Sequence, residues 1–322
     1  MQPSKPNFHR FHGARFSTLS AVAIVWAGCF AARSMAQQPG QKTFSSAQEA
    51  SSALAMAEEN NDEKALLEIL GLDAKDIVSS GDAAEDAQNR ANFVKRYEQM
   101  HRLVMEPDGT TTLYVGAENW PLPIPLMNKG NMWYFDTAAG KMEILYRRVG
   151  RNEVSTIHVC QQLVAAEKEY YATHNSEYAQ KIFSDEGQHN GLYWNSADGQ
   201  KSPIGPLVAA AVSEGPNSAS AVPYRGYFYQ ILTRQGAGAP GGAKSYIVNG
   251  KMTEGFAFVA YPAKYRASGV MTFLVGEDGA VYRKDLGSNT AALAKAMKGY
   301  NPDSSWKKEE DQPQAADQQK TN

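Results

Sequence analysis

GVMTFLVGEDGAVYRKD, residues 269–285, decides the fold class. The runs 270–275 and 280–285 are short, apolar and rich in β-branched and aromatic residues, and Glu277-Asp278-Gly279 between them is a tight-turn signal. The pattern predicts an antiparallel hairpin. Upstream, 224–233, 245–248 and 256–261 have the same strand-like composition, and 291–297 makes a closing helical turn. Before the strands, 153–173 places Ile157, Cys160, Val164 and Tyr171 on one stripe at helical spacing, with Leu163 and Tyr170 beside it. An α+β lobe over 153–303 is expected, its helix and sheet joined by a polar loop over 174–220 with a short helix at 206–212.

The segment 37–152 reads as a second α+β lobe. Helices are expected at 46–60 and 62–70, the latter closed by Gly71, and at 82–105, where Asp82-Ala83-Ala84-Glu85 has the form of a capping box. Phe93, Tyr97 and Met100 give that third helix its apolar steps. Short strands follow at 111–116, 132–136 and 141–146, with Thr137-Ala138-Ala139-Gly140 as the turn between the last two. In Trp120-Pro121-Leu122-Pro123-Ile124-Pro125-Leu126 the prolines remove backbone donors along one side, as suits an extended edge. The tail from 304 to 322 is polar, lacks a core and is expected to be disordered.

Residues 1–36 read as an address. Arg10 and Arg15 precede an uncharged apolar run at 19–32, and Ser34-Met35-Ala36 offers small residues for cleavage before Gln37. Fourteen residues make about 21 Å of helix, short of the roughly 30 Å of a hydrocarbon core. A secretory signal peptide is expected, with the protein in the periplasm or envelope and no transmembrane segment in the mature chain. Ala27-Gly28-Cys29 has a lipobox ending, but Trp26 fits poorly where a branched aliphatic belongs, so a lipid anchor at Cys29 is the weaker alternative.

Composition narrows the function classes. The chain has 32 basic and 34 acidic residues; four of the basic ones, Lys5, Arg10, Arg15 and Arg33, fall in the leader, which holds no acid, so the remainder is near −6. No basic stripe speaks for nucleic acid. Without Cys29, Cys160 is a lone thiol on the apolar side of a helix and is expected to be buried.

Catalytic signatures are missing. The glycine-rich run at 236–245 has Ala243 where a phosphate loop needs glycine and a strand where it needs a helix, so it is expected to be a flexible connection. There is no G-x-S-x-G elbow, and the S-x-x-K matches at Ser304 and Ser305 fall in the tail. His101, His158, His174 and His189 lack any zinc-type spacing. Glu167 and Glu169 read as surface charges of a helix. The polar loop gathers His174, Glu177, Asp185 and His189, followed by Tyr193 and Trp194, and these six are the candidate binding residues. No catalytic, cofactor or metal residue is assigned. The strand aromatics Tyr224, Tyr227, Phe228, Tyr229, Phe256, Phe258 and Tyr261 read as core and cross-strand pairs.

Several stretches carry a resemblance. They are Ser79-Ser80-Gly81-Asp82, Trp120 to Pro125, Trp133-Tyr134-Phe135-Asp136-Thr137 with Gly140, and Arg147-Arg148 with Gly150-Arg151-Asn152-Glu153. Later come Gly191-Leu192-Tyr193-Trp194, Pro240-Gly241-Gly242 and Gly269-Val270-Met271-Thr272-Phe273. On these the chain resembles the bacterial exported family known as domain of unknown function 2950, from Phe44 to about Trp306. The resemblance implies an envelope or periplasmic location and no established activity. Relatives often carry an acidic loop suited to calcium after the second-lobe helix; here Thr173-His174-Asn175-Ser176-Glu177-Tyr178 lacks the carboxylates. The second lobe is also similar in pattern to the soluble part of type IV pilins and pseudopilins.

The expectation is a non-catalytic, exported module that binds another envelope component. The alternative is a periplasmic hydrolase or small-ligand binder using the inter-lobe cleft or the 174–195 loop.

Overall fold

The computed structural model describes residues 37–195, 199, 201–213 and 222–310. The expected leader, Cys29 and the segment 311–322 lie outside the described residues. The fold is α+β.

The first core is built by helices whose starts are written locally. In α1 (Ala47–Glu59) Ser46 accepts from the Glu49 N–H, in α2 (Glu63–Leu70) Asp62 accepts from Ala65, and in α4 (Ala83–Gln99) Asp82 accepts from Ala84 and Glu85. The short α3 (Lys75–Val78) lies between the last two. Then come β1 (His101–Met105), β2 (Thr111–Val115), β3 (Trp120–Pro121), β4 (Leu126–Lys129) and β5 (Met132–Phe135). They pair antiparallel in the order β1-β2-β4-β5, with β3 also on β2. Leu54, Leu66, Ile69, Ile124, Leu126 and Phe135 are buried between helices and sheet. The proline-rich stretch is the expected edge, and Ile124 from it enters the core.

Two expectations fail here. The third helix stops at Gln99 rather than near 105: Met100 turns extended, and His101 to Met105 find ladder partners on β2. Residues 137–146 are neither turn nor strand. Asp136 accepts from the Ala139 N–H at 3.0 Å, starting α5 (Thr137–Thr173), a helix of 37 residues and about 55 Å. Gly140, taken as a turn residue, is in the helix, and Ile124 packed against it accounts for the missing side chain: a Cβ there would come within 2.5 Å of the Ile124 Cγ1. The helix expected to start at 153 is the second half of this rod, which runs unbroken through residues 152 and 153.

The second core holds α6 (Pro206–Ala211), β6 (Val212–Ser213), β7 (Tyr227–Leu232), β8 (Arg234–Gln235), β9 (Lys244–Ser245), β10 (Ile247–Val248), β11 (Lys251–Met252), β12 (Ala257–Pro262), β13 (Met271–Gly276), β14 (Val281–Asp285), α7 (Thr290–Ala296) and β15 (Lys307–Lys308). The main sheet runs β15-β14-β13-β12-β7-β6; only the β6–β7 pair is parallel. The hairpin predicted at 270–285 is β13–β14, with Val275 opposite Val281. All six β12 residues are buried, because α5 and α7 both lie against that strand and its side chains alternate between faces. The strand aromatics Tyr227, Tyr229, Phe256, Phe258 and Tyr261 are core residues, as is Cys160, whose thiol burial pushes up to about 12.

The start of the tail is ordered, contrary to expectation. Trp306 packs on the core under Lys284, and Lys307 and Lys308 pair with β14. The glycine-rich connection is likewise pinned: Gly236 donates to the Tyr300 carbonyl, Gly238 to Asn301 Oδ1, and the Gln235 side chain to the Pro240 and Gly242 carbonyls. Among the described residues no helix is long and apolar enough to cross a membrane.

Candidate binding surface

The 174–195 loop begins where α5 ends. His174 stacks on Tyr170 and its Nδ1 lies 3.0 Å from the Tyr170 carbonyl oxygen. A carbonyl only accepts, so Nδ1 carries the proton. Asn175 and Ser176 take left-handed backbone, which reverses the chain. Glu177 then pairs with Lys251 on β11. Tyr178 hydrogen-bonds Glu277 at 2.8 Å while its ring packs on Tyr171 and Phe256.

Further along, Asp185 is held by Lys181 and by the Asn190 amide, which keep its carboxyl below the usual range. His189 stacks on Trp194 at 4.3 Å, and Tyr193 meets Phe183 edge-on at 5.8 Å. Of the six residues chosen from the sequence, His189 and Trp194 are brought together. His174, Glu177, Asp185 and Tyr193 each go to a different neighbour. Among the described residues no three His, Cys, Asp or Glu gather to hold a metal.

Glu167 is the group that sequence reasoning missed. It is fully buried; Oε2 accepts from the Ala179 N–H at 2.9 Å, and Oε1 has no hydrogen-bond partner among the described residues. Burial raises its carboxyl to about 8, so it is protonated at neutral pH. The signal was its place in the stripe: it follows Cys160 and Leu163 at helical steps and precedes Tyr170 by three.

Surface grooves of about 540 and 260 Å³ lie among the described residues beside the first core. The larger is lined by Gln41, Lys64, Leu67 and Leu72, the smaller by Glu58, Ala91 and Glu98. Neither is lined by residues of the 174–195 loop.

The middle of α5 is different in kind. Between Gly140 and Thr156 no residue of the helix is buried. The solvent-facing row of i, i+4 steps there is Ala138, Met142, Tyr146, Gly150 and Val154, apolar or small throughout. Met142 is 38% exposed, Tyr146 61% and Val154 47%. The row winds about 40° round the helix at each step, and a surface helix ordinarily puts polar residues at such exposed positions. The row is about 24 Å long, from 16 residues at 1.5 Å each.

Its orientation is fixed from both ends. Arg147 donates to the Pro121 carbonyl at 2.7 Å and lies over the Trp120 ring. Asn152 donates to the Ser268 carbonyl, and a Glu153 carboxylate oxygen accepts from the Val270 and Met271 N–H groups. The Asn152-Glu153 clamp sets the rotation that leaves Gly150 and Arg151 outward.

A family model described as "Protein of unknown function (DUF2950)" matches residues 41–309. No curated protein and no solved structure matches the chain.

Proposed function

Because the chain belongs to the DUF2950 family, whose description assigns no activity, we propose from its geometry that it is an exported protein that acts by binding another envelope component, without catalysis. The observation that carries this is the exposed apolar row of α5 from Ala138 to Val154. Exposed contiguous apolar surface rimmed by polar residues marks interaction sites. The helix-then-sheet order of α5, β7, β12, β13 and β14 supports the pilin-like comparison for the second lobe, which stays part of this proposal. The leader pattern at 1–36 supports export.

The test is chemical cross-linking in intact cells with a tagged chain, followed by mass spectrometry of the envelope fraction and N-terminal sequencing of the purified protein. A start at Gln37 and one enriched envelope partner are expected. Turnover of a defined substrate, abolished by a point change in the 174–195 loop, sinks the proposal.

A further inference from the structure

Resting on the exported binding role, we propose that the end of the main sheet beside Asn152 docks on a bilayer surface carrying anionic phospholipid. At this end β7 begins, β12 finishes and β13 begins, with Tyr227 opposite Pro262. Asn152 of α5 donates to the Ser268 carbonyl, and Ala263 donates to the Gly226 carbonyl at 2.9 Å. A Cβ on Gly226 would meet the Asn152 Nδ2 at 2.5 Å and the Ser268 Cβ at 3.0 Å. The middle of α5, the turn at 224–227 and the connection at 263–270 therefore meet at one place.

Each of these segments brings cations with it. Arg151 adjoins Asn152, and Arg148, four residues before Asn152, lies on the same side of the helix. Arg225 adjoins Gly226, and Lys264 and Arg266 belong to the connection that Ser268 ties back to Lys264. All five are exposed, and none makes an ion pair among the described residues. The neighbouring acids are engaged: Glu153 accepts from Val270 and Met271, and Asp285 from the Tyr265 hydroxyl and the Gly287 N–H. A chain whose remainder is near −6 thus carries a positive end. Positions 151, 225 and 264 are far apart in the chain, so no basic run announces it.

The backbone gives an independent sign. Arg225 has φ 53° and Arg266 φ 61°, the left-handed region that favours glycine or asparagine. Neither guanidinium makes a hydrogen bond or ion pair among the described residues; each lies over the preceding tyrosine ring, 5.5 Å from its centroid. The fold spends strain at both positions on a charge that it does not itself use.

The occupant follows from the setting of the charges. They spread over three segments as a surface, and the grooves beside the first core are lined by none of them. Val222, 62% exposed, and the exposed Pro223 lead into Tyr224 next to Arg225. Arginine and lysine at phosphate level, with tyrosine and aliphatic side chains entering the interface, is the composition of a membrane-surface site. A second copy of this chain fits poorly, because a two-fold contact sets the same cations against each other.

The experiment measures cosedimentation of the chain purified from the envelope fraction with vesicles of phosphatidylglycerol and with vesicles of phosphatidylcholine. Binding to the first alone is expected, and its release as salt is raised. Arg225→Gly with Arg266→Gly is expected to lower that binding about thirtyfold, at about fivefold per cation near the surface, without lowering Tm. Lysine at both positions retains it. Lost binding with unimpaired folding is a combination that two purely structural arginines do not give.

Equal binding to both vesicles, indifference to the glycine changes, or displacement by inorganic phosphate at matched ionic strength overturns the proposal. A chain that ignores both vesicles yet cross-links to one envelope protein in cells overturns this surface and leaves the binding role standing. No vesicle binding and no cross-linked partner, with turnover of a substrate, removes the binding role itself.

Discussion

His174 lies flat on Tyr170, the ring centroids 3.8 Å apart and the planes 5° from parallel, while its Nδ1 caps the Tyr170 carbonyl. His101 does the same on Tyr97 at the end of α4, at 3.9 Å and 5°. In both helices a Tyr-x-x-x-His spacing turns the last turn into an end-stop that satisfies an orphan carbonyl. His174→Ala is expected to lose about 1 kcal/mol of stability, from one stack and one hydrogen bond. Urea denaturation checks it, with His158→Ala, on an exposed face of α5, expected to be near neutral.

Glu167 makes stability pH-dependent. Its carboxyl is raised to about 8 in the fold against an ordinary 4.5, so the native state holds the extra proton between those values. The sign follows: its favourable contribution is complete below about 4.5, declines as pH rises through the window, and is gone above about 8. Glu167→Gln keeps an acceptor for Ala179 and removes the titration. Its stability advantage over the parent is expected to grow by a few kcal/mol between pH 5 and 8. A smaller slope below 7 persists in the variant, because burial also raises Glu58, beside Arg90, to about 7. Equal pH profiles for parent and variant contradict the assignment.

Glu153 joins α5 to the start of β13 through two backbone donors. Glu153→Ala leaves the Val270 and Met271 N–H groups without that acceptor and is expected to cost about 2–4 kcal/mol. Amide exchange at those two positions gives the local readout, and it should accelerate well before the rest of the sheet opens.

The two α5 glycines predict opposite responses. Gly140→Ala drives a methyl into Ile124 and is expected to cost about 1–3 kcal/mol. Gly150→Ala enters open space and is expected to gain about 0.5–1 kcal/mol. Thermal melts of the pair decide it, and a shared sign contradicts the packing described at one site or the other.

How much of this was legible depends on the range of the interaction involved. Ser46, Asp62 and Asp82 announce their helices because each cap acts within three residues. The β13–β14 hairpin was readable for the same reason, its turn lying between the strands it joins. Thr137 to Gly140 was misread because Gly140 has its reason 16 residues away, in Ile124. The end of α4 depends on β2, which gives His101 to Met105 a better use than another helical turn. Trp306 was assigned to a coreless tail because its partner, Lys284, is on the hairpin. In the candidate loop the aromatic pair of His189 and Trp194 was within local reach; the destination of Glu177, Lys251, was not. Glu167 was misjudged by residue type although its helical phase gave the answer.

The continuity of α5 ties the two cores by phase as well as by length. Gly140 is buried at one end of the helix and Val159 at the other, on a single backbone screw. One residue inserted near Arg148 would turn everything after it by about 100° and advance it 1.5 Å, carrying Asn152 and Glu153 away from the loop they grip. Insertions of four, about 40° from a full turn, disturb that phase far less. The rod thus acts as a torsional gauge: changes in its length are tolerated in helical steps, and the angle between its two loaded ends is held to within a fraction of a turn.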